Sequence, residues 1–165
     1  MTDYQENWAE LDPIQTIKAA GCVYKDLKDI LVFGVFKNGS VGTLFTSHSS
    51  PLHLMWILKA IDWNSVIESD DPLPILDSTL EKLGDRLDDP QNMHPVATQA
   101  LESMKEAEHI IVAGLTDEQE LTMATSKDVN FMTTSFCVDW FRHQLLNQMS
   151  VAAQQAAQQA QAATK

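Results

Sequence analysis

Apolar residues come along this chain in two kinds of run, and the runs repeat. Ile14, Ile17, Tyr24 and Leu27 fall at helical spacing behind Asp12-Pro13, an N-cap followed by a proline suited to the first helical position. Gly21 weakens the middle of that helix. Ile30 to Phe36 is then an unbroken apolar stretch, Asn38-Gly39 follows, and Val41 to Thr46 continues as a second stretch. Asn-Gly between two apolar runs predicts a hairpin with a two-residue turn. Such a turn pairs Phe36 with Val41, Gly34 with Thr43 and Val32 with Phe45, and sets Phe33, Val35 and Leu44 on the opposite face. Both faces are apolar, so both are expected to be covered.

Ser50-Pro51 opens a helix over Leu52 to Ile67 by the same capping logic. It carries two apolar stripes: Leu54, Ile57, Leu58 and Ile61, and Leu52, Trp56, Ala60 and Trp63. A helix apolar on two sides is expected to be buried on two sides, the second by the other half of the chain or by another molecule.

The pattern then starts again. Lys25 to Gly34 returns as Lys105 to Gly114, 80 positions on. Past the following turn the match is read one residue shorter, with Ile57, Leu58 and Ile61 answering to Phe136, Cys137 and Trp140. A period near half the chain predicts two copies of one supersecondary unit. The second copy holds a helix from about Pro95 (Ala97, Ala100, Leu101, Met104) and strands Ile110 to Leu115 and Leu121 to Thr125 around a loop of Asp117, Glu118 and Gln119. Ser126 or Asp128 is the expected cap of a last helix filled by Phe136, Val138, Trp140, Phe141 and Leu145. That helix runs on into an Ala/Gln tail, in which Met149, Ala152, Ala156, Ala160 and Ala163 prolong one face.

The fold expected is α+β: two tandem α-β-β-α units, an internal duplication with antiparallel hairpins covered by helices, and a long C-terminal helix. The units span residues 1–67 and 93–150, residues 68–92 are an acidic linker with a short helix, and residues 151–165 are the helical tail. Each hairpin is too small to stand alone, so the two are expected to join in one sheet.

Charge narrows the function classes. The chain of 165 residues has a net charge of −12. That argues against contact with nucleic-acid phosphates or anionic membranes, which need clustered Lys and Arg. Half of the net charge lies in residues 65–90, where eight carboxylates, among them Asp70, Asp71, Asp88 and Asp89, face only Lys82 and Arg86. Such a segment suits a basic partner or plain solvation. The polar first residues and the absence of a long apolar run point to the cytoplasm, with Cys22 and Cys137 reduced.

Candidate chemistry is sparse. His48, His53, His94, His109 and His143 show no metal-ligand spacing, and the two cysteines form no cluster. Ser47, Ser49 and Ser50 lack a nucleophile elbow or a phosphate loop and read as caps. No cofactor, metal or catalytic residue is expected. The reading is therefore a non-enzymatic protein-interaction protein and homo-oligomer. Its interface is Leu52, Trp56, Trp63, Asp70, Asp71, Asp88 and Asp89. Small, acidic and cytosolic, it has the general look of phage or mobile-element accessory proteins, some of which inhibit a host or defence protein. The alternative is a structural or assembly component that self-associates through the Ala/Gln tail. A small enzyme using His48 or His109 in a cleft between the units is the third reading.

Overall fold

The computed structural model describes residues 11–46, 49–66, 89–118 and 120–164, with the backbone alone for residues 63–66. The expected linker and short helix lie outside it up to residue 88, as does Ile67. Helix α1 (Pro13–Val23) is followed by strands β1 (Asp29–Val35) and β2 (Val41–Phe45) and helix α2 (Pro51–Val66). A short 3-10 turn, Pro90–Asn92, leads to α3 (Pro95–Ser103), β3 (His109–Leu115), β4 (Leu121–Thr125) and α4 (Phe131–Ala163).

The caps explain several boundaries. Asp12 accepts from the Gln15 backbone N–H at 2.8 Å and Gln15 returns the bond to Asp12, so α1 starts on a reciprocal pair with Pro13 behind it. Ser50 Oγ accepts from the His53 N–H, as the sequence suggests. The cap of α4 is Asn130, which takes the Thr133 N–H at 3.0 Å, and neither Ser126 nor Asp128. Ser126 Oγ is used elsewhere, accepting the Ile110 N–H inside the sheet, and Asp128 turns the chain at φ 66°.

Four strands form one antiparallel sheet in the order β2-β1-β3-β4. The joint between the halves is β1 against β3, centred on Val32 opposite Val112. The β1–β2 hairpin is one residue out from the expected register: Val35 pairs with Val41 and Val32 with Leu44. The cause is the turn. Only Gly39 takes positive φ, at 83°, so Asn38 does not supply the second left-handed residue of a two-residue turn. Phe36 N–H instead bonds Ser40 O, and Gly39 N–H bonds Phe36 O, giving a three-residue loop with glycine at its left-handed position. The slip carries Leu44 to the face of Val32 and leaves Phe33, Val35 and Val41 together on the other face.

Both faces are covered. Ile30, Val32, Ile110 and Val112 meet α1 and α3, while Leu31, Phe33, Ile111 and Leu115 meet α2 and α4. Helices and strands exchange between the halves: α1 and α2 pack mainly on β3 and β4, α3 on β1 and β2, and α4 on β2. Gly21 sits where α1 meets α3, and a Cβ there would lie 2.6 Å from that of Ala97. The glycine that weakens the helix locally is thus what permits the contact.

The first helices of the two halves start 82 residues apart, at Pro13 and Pro95, but from Ala20 and Ala100 onward equivalent places stay 80 residues apart. The burial pattern of residues 51–62 is the same, residue by residue, as that of 131–142. Paired backbone hydrogen bonds tell the same story: Tyr24 to Ala20 and Met104 to Ala100, Thr46 to Ile30 and Ser126 to Ile110. The one-residue shortening read from the sequence is therefore corrected. Phe36–Ser40 and Thr116–Glu120 are connections of equal length, so Ile57, Leu58 and Ile61 answer to Cys137, Val138 and Phe141.

Candidate functional site

The structure separates the two apolar stripes of α2. Leu54, Ile57, Leu58 and Ile61 are buried against the sheet and α4. Leu52 and Trp56 point outward, 72% and 47% exposed, so these two members of the second stripe are not buried by the described residues, while Ala60 is half-buried. Helix α4 does the same at the equivalent positions. Met132, the counterpart of Leu52, is 73% exposed, and Phe136, the counterpart of Trp56, is 50% exposed. Phe136 was expected inside; the constant offset of 80 places it on the outer face and Cys137 inside.

Between these apolar pairs lie the charges. Asp62 Oδ2 receives Arg142 Nη2, and Arg142 Nη1 also holds Asp139 at 2.9 Å. Asp62 and Arg142 are themselves 80 apart, as are Lys59 and Asp139, and each equivalent place carries opposite signs in the two halves. Lys59, Asp62, Asp139 and Arg142 are all the Lys, Arg, Asp and Glu residues of α2 and of α4 up to Leu146. This outer layer is thus neutral in a chain of net charge −12.

Of the other expected interface residues, Asp89 is exposed and caps the 3-10 turn, accepting from the Gln91 N–H at 3.0 Å and from Asn92 Nδ2. The side chain of Trp63 and the whole of Asp70, Asp71 and Asp88 lie outside the described residues. Sequence reading missed Met132, Phe136, Lys59 and Asp139. The signal that finds them is the period of 80, followed without a break from Leu52, Trp56 and Lys59.

The groups with chemical potential elsewhere are tied into the fold. Asp29, at the start of β1, accepts the Ser49 hydroxyl at 2.9 Å, and Ser49 Oγ lies 2.7 Å from Thr46 Oγ1. His53 Nε2 stands 3.1 Å from the other Asp29 oxygen, near enough for an ion pair when protonated but without the alignment of a hydrogen bond. The carboxylate stands between imidazole and hydroxyl, so the serine proton faces the acid and not the histidine. A serine nucleophile needs the imidazole in the middle, between hydroxyl and carboxylate. The cluster instead fastens the entry of α2 to the sheet.

His94 is buried and fully engaged: Nδ1 accepts the Val96 N–H at 3.1 Å, and Nε2 donates to Leu27 O at 3.0 Å. It caps α3 and lines a groove of about 370 Å³ with Lys28, Thr46 and Gln99. His109 opens β3 with a buried Nδ1 that has no partner among the described residues. His48 lies outside the described residues. Burial pushes the Cys137 thiol up to about 11, which keeps it protonated near neutral pH. Cys22 is half-buried and, like Cys137, outside any disulfide. Among the described residues no three His, Cys, Asp or Glu side chains are placed to hold a metal ion, and no helix is long and apolar enough to cross a membrane.

No protein-family model, curated protein or solved structure matches the chain.

Proposed function

We propose that this is a non-enzymatic protein-interaction protein whose contact surface is the outer face of α2 and α4. The observation that carries the reading is the matched exposure of Leu52 with Met132 and of Trp56 with Phe136. A single exposed apolar side chain needs no explanation. Two large ones kept at equivalent places in both halves, on either side of a neutral centre, are harder to leave to solvent. Each is worth about 1.5–3 kcal/mol on full burial, so the four can supply most of a specific contact.

The acidic segment before Asp89 is the second part of the proposal. Its negative field favours encounter with a basic protein, an effect screened beyond about 8 Å at physiological salt. The narrower form of this reading is a cytoplasmic accessory protein of a phage or other mobile element that occupies and inhibits a host protein. The repeated order of elements and their offset of 80 from Ala20 onward also support an internal duplication as the origin of the fold.

The test is capture with the full chain as bait. Trp56→Asp and Phe136→Asp should each abolish capture of a bound protein while leaving the melting temperature in place. Asn at Asp70, Asp71, Asp88 and Asp89 should slow association most at low salt. Capture unchanged by all of these substitutions would remove the reading.

A further inference from the structure

The outer face of α2 and α4 has a property beyond exposure. Positions 80 apart are related by the approximate two-fold that passes between Val32 and Val112 and, in this layer, between Asp62 and Arg142. Trp56 and Phe136 each lie six residues before that point on their helices, about 9 Å along the axis at 1.5 Å per residue. They therefore stand on opposite sides of it, with Lys59 and Asp139 nearer the centre. Under this two-fold the apolar positions are alike, but the charges invert: Lys59 against Asp139 and Asp62 against Arg142. A face with that arrangement is complementary to its own copy. Turned over about an axis in its own plane, across the Trp56–Phe136 line, a second copy brings its Phe136 over Trp56 and its Asp139 over Lys59, and every contact occurs twice.

We infer that this face is a self-complementary interface and that its occupant is a second copy of the chain, in a face-to-face dimer. The inference rests on the contact surface proposed above and names what covers it. Charge decides between occupants. A basic protein gains nothing from a layer without net charge, and an acidic protein gains nothing from its inverted signs. Two copies of a chain at −12 repel each other over the rest of their surfaces, and this neutral layer lets them approach while the opposite signs set the register.

Sedimentation velocity on the full chain across the micromolar range tests this. A reversible monomer–dimer equilibrium is expected. Phe136→Asp and, as an independent variant, Leu52→Asp should each raise the dimer Kd by about tenfold or more, with the circular-dichroism melt retained. Lys59→Glu should weaken the dimer, and adding Asp139→Lys to it should restore the Kd to within about threefold of the parent, a rescue that lost folding cannot imitate. Truncation after Ser150 should leave the Kd unchanged. A chain that stays monomeric, a dimer indifferent to Phe136→Asp and Leu52→Asp, a charge swap no better than Lys59→Glu alone, or a dimer lost with the tail would each overturn the inference. A monomer that captures another protein, with capture abolished by Phe136→Asp, would overturn it while leaving the contact surface standing. Capture and dimerisation both indifferent to these substitutions would remove both.

Discussion

At the scale of single residues, three positions show how little room the core leaves. Gly21 lies where α1 touches α3, and an added Cβ would come within 2.6 Å of Ala97 Cβ. Alanine is the better helix former by about 1 kcal/mol, but overpacking costs about 1–3 kcal/mol. Gly21→Ala is therefore expected to lower stability by roughly 1 kcal/mol in urea unfolding. Ala97→Gly in the same chain should recover part of the loss. Tyr24 is buried with its hydroxyl accepting from Thr122 Oγ1 at 3.0 Å, and burial pushes its pKa up to about 12 although that bond pulls the other way. Cys137 rises to about 11 for want of solvent alone. Both groups ionise more readily in the unfolded chain, where their ordinary values are 10.0 and 9.0. Their contribution is whole below those values and is lost as pH rises through the folded ones. Urea midpoints should hold to about pH 9 and fall between about pH 9 and 12, cysteine first. Cys137→Ala should flatten the lower part of that fall.

At the scale of elements, local chemistry was legible where it alone decides. Asp12-Pro13 and Ser50-Pro51 mark helix starts correctly, and Leu121–Thr125 is a strand as its apolar run suggests. Asn38-Gly39 identifies the hairpin but not its register, because the backbone of Asn38 is settled by the bond from Phe36 N–H to Ser40 O rather than by residue preference. Asn130 is as good a cap as Ser126, but Ser126 is taken by Ile110 N–H, a partner 16 residues away that local reading does not see. The exposed residues Leu52 and Trp56 were readable as a second stripe on α2, while their counterparts Met132 and Phe136 were hidden by reading the period one residue short. Helix α4 reaches Ala163, and its 33 residues make a rod of about 50 Å. From Val151 to Thr164 every residue is exposed, so the alanine face covers nothing among the described residues. Truncation after Ser150 should lower the far-ultraviolet helical signal and leave the melting temperature nearly unchanged. A large drop in melting temperature would show that the tail contributes to the core.

At the scale of the whole molecule, the two halves are not stacked side by side. Each hairpin is sheltered mainly by helices of the other half, and β1 and β3 join at the centre of the sheet. This exchange could not be read from the sequence, since the apolar pattern of a helix says that a face is buried and not which strands bury it. It is also what holds the outer pairs Leu52 with Met132 and Trp56 with Phe136 at fixed places around one axis. That the halves build a single interleaved body is tested most directly by cutting the chain between them. With a protease site placed in the segment between Val66 and Asp89, the folded protein is cleaved and run on a sizing column under native conditions. The two pieces should elute together and part only in denaturant, with a melting temperature that now depends on concentration. Pieces that separate under native conditions, each with its own cooperative melt, would contradict the interleaved fold and with it the two-fold face built upon it.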